Sequence, residues 1–263
     1  AIISGNKWFK LKFYLREAIQ NNATALATFG GAYSNHIVAT AHACYLNNLK
    51  SIGVIRGERS ESLSKTLEEA ESYGMKLYFV SRNEFSNKKN IQEKFKSENW
   101  YWVNEGGYGK QGALGAAEIF EFIDETYTHI VCACGTGTTM AGLIKAANTN
   151  QQVIGINVLK GYDTLLNDVK ELLSSAEQLK NFQVFNDFHF GGYAKHPKEL
   201  IEFMNEIWRQ YQLPTDIVYT SKLMYAFFDL LSKNYFSPES KIMIIHSGGL
   251  QGNQSLAANT LSF

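Results

Sequence analysis

Short runs of β-branched and aromatic residues alternate along the chain with longer segments whose apolar residues recur every three or four positions. The short runs are typical of strands, and the longer segments are typical of amphipathic helices. We predict seven strands, at residues 23–29, 51–55, 76–80, 129–134, 153–158, 182–188 and 241–245. Strands that alternate with helices favour parallel sheets covered by helices on both faces. The predicted fold class is therefore α/β.

The clearest helix is predicted over residues 197–211, where apolar residues recur at helical spacing and charged residues occupy the other positions. Closely spaced glycines follow several predicted strands, at Gly30-Gly31, Gly106-Gly107, Gly135 with Gly137, Gly191-Gly192 and Gly248-Gly249. In open α/β sheets, ligands bind outside the carboxyl ends of the strands, where such turns lie. The glycine turns therefore indicate a small-molecule site.

Composition narrows the class of protein. Hydrophobic residues make up 45% of the 263 residues, which excludes a disordered chain. Because 25 basic residues balance 25 acidic ones, we expect neither nucleic acid nor a membrane as partner. The three cysteines, Cys44, Cys132 and Cys134, lie among apolar neighbours, as reduced thiols usually do. With no apolar run long enough for a membrane span, we expect a cytoplasmic protein.

The segment from Cys134 to Thr139 follows a predicted buried strand and precedes a helical segment. Its backbone amides and hydroxyls would lie at a helix N-terminus, which is a site for an anion. The segment lacks the lysine of a Walker loop, and Met140 stands where a dinucleotide fingerprint has its third glycine. It therefore predicts a site for a single phosphate group, with a plain threonine-capped turn as the alternative.

Two other chemistries find little support. The six histidines form no HExxH pair, and Cys132 and Cys134 are same-face residues of one strand, so we predict no metal site. Ser34 does not lie in the GxSxG turn of a serine hydrolase. We expect His36, two residues later, on the surface of a helix.

A lysine follows a glycine near the start of the chain, in Ser4-Gly5-Asn6-Lys7. Taken alone, Lys7 is a solvent-exposed residue at the start of a helix. A desolvated lysine, however, can form a Schiff base with an aldehyde cofactor. Together with a site for one phosphate and glycine turns at strand ends, Lys7 makes pyridoxal phosphate the expected ligand.

Six segments occur in the order in which one family has them. They are Ser4-Gly5-Asn6-Lys7-Trp8-Phe9-Lys10-Leu11, Gly30-Gly31-Ala32-Tyr33-Ser34-Asn35-His36, Glu105-Gly106-Gly107, Gly135-Thr136-Gly137-Thr138-Thr139, Tyr219-Thr220-Ser221-Lys222 and His246-Ser247-Gly248-Gly249. Over nearly its whole length the chain resembles the 1-aminocyclopropane-1-carboxylate deaminase and D-cysteine desulfhydrase family. The resemblance implies the tryptophan synthase β-subunit fold, which is fold type II of the pyridoxal phosphate enzymes.

The resemblance also implies roles for individual residues. Lys7 would bind the cofactor aldehyde as a Schiff base, and Lys10 would be a second cation near the cofactor phosphate. Asn35 would hydrogen-bond the phenolic oxygen of the cofactor. Ser34 would meet the substrate carboxylate or assist proton transfer.

The same resemblance places the phosphate on Gly135, Thr136, Gly137, Thr138 and Thr139. Tyr193 and Tyr219 match the two active-site tyrosines of the family. Each tyrosine by itself would more commonly be a half-buried packing residue.

Two positions bear on the reaction. In the deaminase branch a glutamate follows the second tyrosine, whereas this chain has Thr220, a hydroxyl that can donate to an unprotonated ring nitrogen. Where that branch has an apolar residue before the paired glycines, this chain has Ser247. Both positions favour β-elimination of D-cysteine to pyruvate, ammonia and sulfide. The alternatives are deamination of 1-aminocyclopropane-1-carboxylate to 2-oxobutyrate and, more remotely, a non-catalytic binding protein.

The domain organisation is predicted as a smaller α/β domain, residues 21–117, inserted into a larger cofactor-binding domain formed by residues 1–20 and 118–263. The family has an N-terminal strand and a charged stretch before the Gly-Asn-Lys motif, and this chain begins three residues before Ser4. We therefore expect that an N-terminal segment is missing from the sequence. The resemblance implies a homodimer that acts on a small amino acid.

Overall fold

A computed structural model describes residues 5–263, so Ser4 of the lysine motif lies outside the described residues. The chain divides into two compact units at the boundary between Gly112 and Ala113. Each unit contains a parallel sheet of four strands. The fold class is α/β, with two parallel sheets and helices between the strands, as predicted.

Among the described residues, the first unit contains six α-helices and four strands, and the last of these helices crosses the boundary. In chain order they are α1 (Asn6–Gln20), β1 (Ala25–Gly30), α2 (Asn35–Leu46), β2 (Lys50–Arg56), α3 (Lys65–Ser72), β3 (Lys76–Val80), α4 (Arg82–Ser86), α5 (Lys88–Lys94), β4 (Trp100–Val103) and α6 (Lys110–Ala117). The strand order is β3-β2-β1-β4. Ala25 of β1 pairs with Lys50 of β2 on one side and with Trp100 of β4 on the other.

The second unit repeats this order with its own strands, β7-β6-β5-β8. Its elements are β5 (His129–Cys134), α7 (Thr138–Ala146), β6 (Gln152–Asn157), α8 (Leu165–Glu171), β7 (Phe182–Phe185), α9 (Lys198–Tyr211), α10 (Thr220–Ser232) and β8 (Ile242–Ile245). His129 of β5 pairs with Gln152 of β6 and with Ile242 of β8. Since all pairs are parallel, the carboxyl ends of the four strands lie at one edge of the sheet.

Helices cover both faces of the second sheet. Val131, Ile154 and Ile156 pack in one cluster with Leu223 and Leu230 of α10. Successive residues of a strand point to opposite faces. Gly155 accordingly faces the other helix, α7, where a side-chain carbon in its place would lie 2.4 Å from Met140 Sδ. The core of this unit therefore lies on both sides of β6.

The helix α1 packs within the first unit, which differs from the predicted domain organisation. Its apolar face, which includes Leu11 and Leu15, clusters with Leu26 of β1, Val103 of β4 and Cys44 of α2. Residues 5–20 therefore belong with the segment that follows them, and the boundary falls at Gly112 rather than at residue 117. Sequence periodicity shows that a helix has an apolar face, but it does not show which sheet that face covers.

The seven predicted strands and the helix over residues 197–211 are confirmed, with ends that shift by at most three residues. The eighth strand, β4, was not predicted. It is only four residues long, Trp-Tyr-Trp-Val, and every one of these residues is common in strands. Among residues 5–263, no helix has both the length and the apolar character needed to cross a membrane.

Candidate cofactor site

The turn between β5 and α7 depends on a glycine that packs closely against α8. Gly137, the N-cap of α7, has φ +76°, a conformation that glycine adopts without strain. A side-chain carbon at Gly137 would lie 2.6 Å from Val169 Cγ2 and 3.0 Å from Leu165 Cδ1, closer than carbon atoms pack. Only glycine fits here, so the predicted alternative of a threonine side-chain cap does not apply.

The groups around Gly137 suit a phosphate. The first amides of a helix have no carbonyl partner within it, and the helix dipole makes that end partially positive. The first turn of α7 contains no acidic residue. The hydroxyls of Thr136 and Thr138 lie 3.0 Å apart and bond to each other beside these amides. This donor set and the side-chain-free backbone fit the single phosphate group of pyridoxal phosphate.

The two predicted active-site tyrosines lie together at this turn. The ring centroids of Tyr193 and Tyr219 are 6.5 Å apart, with their planes at 81°. A side-chain carbon at Gly135 would lie 3.2 Å from Tyr219 Cε1. The structure therefore brings the phosphate turn and both tyrosines into one part of the second unit. The Tyr193 side chain is exposed, as a residue that meets a ligand must be.

Thr220, predicted as a donor to the cofactor ring nitrogen, has its hydroxyl proton engaged elsewhere. It is fully buried, and its Oγ1 donates to Asp216 Oδ1 at 2.8 Å and accepts from the Asp216 amide at 2.7 Å. A hydroxyl has only one proton to donate. The Thr220 hydroxyl therefore bonds within the protein, and the predicted donor to the ring nitrogen must be a different residue.

Asp216 is the partner that sequence reasoning missed. Its carboxylate accepts hydrogen bonds from the amides of Val218, Tyr219 and Thr220 as well as from the Thr220 hydroxyl. Burial raises the pKa of Asp216, and these donors oppose that shift because they stabilise the charged form. Asp216 thus fixes the start of α10 and with it the backbone of Tyr219. Its signal in the sequence is an aspartate four residues before Thr220.

Ser247 lies half-buried in the turn that follows β8. The ring of His246 fixes this turn, because the Gly248 amide donates to Nδ1 at 3.3 Å and Nε2 lies 2.9 Å from the Pro214 carbonyl. Nδ1 must therefore carry a lone pair, and Nε2 must carry the proton. Ser247 is thus a neutral hydroxyl at the carboxyl edge of the sheet, where ligands bind.

In the first unit, the predicted Schiff-base lysine lies on the first turn of α1. Lys7 Nζ donates to Asn6 Oδ1 at 3.0 Å and is half-buried. One turn further along, Lys10 is buried and donates to the Gly106 carbonyl at 2.7 Å. The two ammonium groups therefore lie on the same face of the helix. They make this part of the unit electropositive, which suits an anionic cofactor.

Ser34 and Asn35 lie at the start of α2. Ser34 Oγ accepts from the Ile37 amide at 3.4 Å as the N-cap, and Asn35 is the first residue of the helix. Gly30 allows this arrangement, since a side-chain carbon in its place would lie 2.9 Å from Ser34 Oγ. Both residues thus lie where α2 begins, after β1, and their contacts with cofactor and substrate stay predictions.

His36 is buried, so the expectation that it lies on a helix surface is wrong. Thr28 Oγ1 donates to the Val103 carbonyl, which leaves its oxygen to accept from His36 Nε2 at 2.9 Å. Burial, and then the positive charges of Lys10 and Lys7, hold the pKa of His36 well below its usual range. His36 is therefore neutral at pH 7, and it couples electrostatically to both lysines.

The chain belongs to the family of pyridoxal-phosphate dependent enzymes, whose sequence profile matches residues 3–248. The phosphate turn and the lysine on α1 agree with that assignment. Within the family, the chain is an enzyme of the 1-aminocyclopropane-1-carboxylate deaminase and D-cysteine desulfhydrase group, and it depends on pyridoxal phosphate. The resemblance drawn from the sequence motifs is confirmed.

The relatives that define this group align over almost the whole chain. A protein of Thermotoga maritima, provisionally named 1-aminocyclopropane-1-carboxylate deaminase, is 32% identical, with 95% of this chain and 85% of that protein covered. A mitochondrial protein of Arabidopsis thaliana is named as a bifunctional D-cysteine desulfhydrase and 1-aminocyclopropane-1-carboxylate deaminase. It is 28% identical, and the alignment covers 95% of this chain and 70% of that protein. A crystal structure of an ACC deaminase homologue superposes with a TM-score of 0.82 at 26% identity, covering 95% of this chain and 82% of that one.

Proposed function

We propose that the protein catalyses β-elimination of D-cysteine, in which the substrate and a water molecule give pyruvate, ammonia and hydrogen sulfide. Bound pyridoxal phosphate supplies an electron-withdrawing ring that stabilises negative charge at the α-carbon of an amino acid attached to it. Its phosphate would be held by Gly135, Thr136, Gly137, Thr138 and Thr139, with Lys10 as a further cation. Asn35 would bind the phenolic oxygen.

Lys7 would hold the cofactor before the substrate arrives, and its amine would afterwards move the α-proton. A lysine can act as a base only when its amine is unprotonated, which a neighbouring cation and desolvation both favour. Lys7 lies one turn from Lys10, and both influence His36 electrostatically. This concentration of positive charge supports Lys7 as the group that takes the proton.

The neutral hydroxyls of Thr220 and Ser247 are the basis of the proposed preference for D-cysteine. Thr220 donates to the buried Asp216 and Ser247 is neutral, so neither position offers a carboxylate to a ring nitrogen. We propose Ser247 as the donor to that nitrogen. A hydroxyl does not protonate the ring as a carboxylic acid would, so the ring withdraws electrons less strongly. A weaker electron sink suffices for β-elimination of a thiol, because a thiol is a good leaving group. Opening of a cyclopropane ring needs a stronger electron sink.

Tyr193, Tyr219 and Ser34 would orient the substrate. The two phenol rings meet nearly edge to face, and Tyr219 lies against the glycine turn. Ser34 Oγ is close to the backbone of the strand end at Gly30. We propose that Ser34 binds the substrate carboxylate and that the phenols hold protons near the leaving group.

The second candidate is deamination of 1-aminocyclopropane-1-carboxylate. The paired tyrosines favour it, because the family has both of them in its deaminase branch, and the Arabidopsis thaliana relative is named for both reactions. The two candidate functions use the same proposed residues. They differ only in the electronic role of Ser247 and Thr220.

Product analysis of the purified holoenzyme separates the candidates. We expect sulfide and pyruvate from D-cysteine, with a kcat/KM that exceeds the value for 1-aminocyclopropane-1-carboxylate by about two orders of magnitude. L-cysteine serves as the stereochemical control. Release of 2-oxobutyrate from the cyclopropane substrate at a rate similar to sulfide release would replace the proposal with the second candidate.

Two variants test the residue that carries the preference. Ser247→Ala is expected to lower kcat on D-cysteine about tenfold and to shift the absorption of the bound cofactor, because one hydrogen bond to the ring is lost. Ser232→Ala, which removes an exposed hydroxyl bonded to the Asp229 carbonyl, is the matched control and leaves both readings unchanged. If the two variants behave alike, Ser247 does not contact the ring.

A further inference from the structure

Lys222 is a buried cation for which the proposed reaction has no use. It is the third residue of α10, and its side chain is 0% exposed. Burial of an ammonium group is costly unless its donors are satisfied. The groups that bind the Lys222 ammonium ion therefore indicate its role.

Three backbone carbonyls surround the ammonium group. Lys222 Nζ donates to the Gly192 carbonyl at 2.7 Å and to the His189 carbonyl at 2.9 Å, and it lies 3.5 Å from the Val158 carbonyl. Burial lowers the pKa of Lys222 to about 8, and Asp216 opposes this shift. The group is therefore still largely protonated at pH 7. Three acceptors match the three protons of an ammonium ion.

Two of these carbonyls belong to the segment that presents Tyr193. The backbone there is unusual, because Phe190, Gly191, Gly192 and Ala194 all have positive φ. Non-glycine residues adopt such angles only where surrounding contacts impose them. The Gly192 amide donates to the His189 carbonyl, and the Lys195 amide donates to the Gly192 carbonyl. Lys222 thus binds both carbonyls that close this turn.

We infer that Lys222 is a positioning residue that holds the 189–195 turn, and through it Tyr193, against Tyr219. The three carbonyls form a cation site, and the Lys222 ammonium group is the cation that occupies it. A second buried charge, Asp216, fixes the backbone of Tyr219 by accepting its amide at 3.1 Å. Each tyrosine of the pair is therefore held by one buried charge. The inference rests on the proposed role of Tyr193 in catalysis.

The chain offers a matched control for this arrangement. Lys180 Nζ also binds three carbonyls, those of Ile144, Lys145 and Ala147, at 2.7 to 3.0 Å. Those carbonyls lie at the end of α7 and not in the 189–195 turn. The two lysines thus share their chemistry and differ in the segment that they hold.

Hydrogen exchange of the holoenzyme tests the inference without any substrate. In Lys222→Ala, the amides of Gly192 and Lys195 are expected to exchange about tenfold to a hundredfold faster, because charge-assisted bonds to their turn are lost. In Lys180→Met these two amides exchange at the wild-type rate. Equal acceleration in both variants, or none in Lys222→Ala, would overturn the inference.

Chemical rescue distinguishes a cation site from general packing. Lys222→Ala removes three carbons and the nitrogen, which are the atoms of n-propylammonium. We expect n-propylammonium to restore slow exchange and kcat/KM, while 1-propanol, which fills the same space without charge, restores neither. Rescue by both compounds would mean that Lys222 only fills volume.

The kinetic arm uses whichever substrate the wild-type enzyme converts, so it does not depend on D-cysteine. We expect kcat/KM of Lys222→Ala to fall about tenfold or more, while Lys180→Met keeps its value within about twofold. If Lys222→Ala does not fold even with n-propylammonium, Lys222→Gln decides the matter. Its amide keeps two donors, so its turn should exchange faster than in the wild type while the rest of α10 does not. Unchanged exchange in that variant would refute the role.

Discussion

The two sheets have the same strand order but begin the next helix in different ways. In the first unit, β1 leads to α2, whose N-cap Ser34 accepts the Ile37 amide with its own side chain. In the second unit, β5 leads to α7, whose N-cap Gly137 has no side chain. β1 and β5 occupy the same place in their sheets. The same topological position thus carries a side-chain cap in one unit and an open helix start in the other.

The difference explains how one architecture serves two tasks. A serine at the N-cap satisfies an amide within the chain and presents a hydroxyl beside the strand end. A glycine places no side-chain acceptor at the first amides of α7, and a helix start of this kind is typical of anion sites. The first unit also carries Lys7, the proposed Schiff-base lysine, on α1. The proposed chemistry assigns no such lysine to the second unit. Four substitutions test this division, in order of decreasing effect.

Lys7→Ala should have the largest effect. Loss of the amine removes both covalent attachment of the cofactor and the proposed base, so we expect product formation to fall about 10³-fold. The absorption band of lysine-bound cofactor should disappear, while the denaturation midpoint changes little because Lys7 is only half-buried. Lys12→Ala on the same helix is the control. Similar losses in both variants would show that α1, rather than the Lys7 amine, is responsible.

Gly137→Ala should weaken the anion site and the fold together. A side chain at positive φ costs about 1 kcal/mol, and overlap with Val169 and Leu165 adds roughly 1 to 3 kcal/mol. We expect cofactor affinity to fall by one to two orders of magnitude, which corresponds to loss of about one charge-assisted hydrogen bond. Urea denaturation of the apoprotein and titration with cofactor measure the two effects.

Gly161→Ala is the control for Gly137→Ala, because Gly161 has φ +71° but no atom within 4 Å of an added carbon. It carries the backbone strain without the crowding. Its cofactor affinity should equal that of the wild type. An equal loss of affinity in both variants would contradict a phosphate site at Gly137.

The burial of His36 predicts an acid-sensitive first unit. Since its pKa lies below that of an unfolded chain, the folded state binds fewer protons, and acid favours unfolding. This contribution to stability is complete above about pH 6.5 and is lost as the pH falls toward the lowered pKa, at up to about 1.4 kcal/mol per pH unit. In His36→Gln, the slope of unfolding free energy against pH should be smaller between about pH 6.5 and 5. An unchanged slope would assign the acid sensitivity to other groups.

Ser34→Ala should have a modest effect on stability, about 1 kcal/mol for a lost helix cap. Its kcat/KM should fall by more than this loss explains, because we propose that Ser34 binds the substrate. Ser81→Ala removes the comparable cap of α4, which accepts the Glu84 amide at 3.2 Å, and should leave kcat/KM unchanged. If the two variants lose activity equally, Ser34 is a cap and nothing more.

Much of the fold could be predicted because its signals are local. A strand such as β5, His129–Cys134, is an unbroken apolar run, and the helix at residues 198–211 has an apolar stripe of helical period. The place of the glycine turn was also predictable, since Gly135 and Gly137 stand directly between such a strand and a helix. β4 was missed because its four residues give too short a pattern.

The side-chain partners could not be predicted in the same way. The sequence shows that Thr220 has a hydroxyl, but only packing shows that its proton goes to Asp216. His36 follows a helix cap in the sequence, yet the sheet buries it against Thr28. Lys222 stands 30 residues from Gly192, to which it donates. No periodicity links residues at such distances along the chain.

The sequence by itself determined the fold class, the motifs of the family and the residues proposed to bind a phosphate and an aldehyde, because each depends on residue type and short spacing. Only the tertiary structure decided which helix covers which sheet, which hydroxyls are already engaged and which buried charges hold Tyr193 and Tyr219. Burial removes competing water, so each polar group must find a partner inside the protein. The folded backbone decides which partner is within reach.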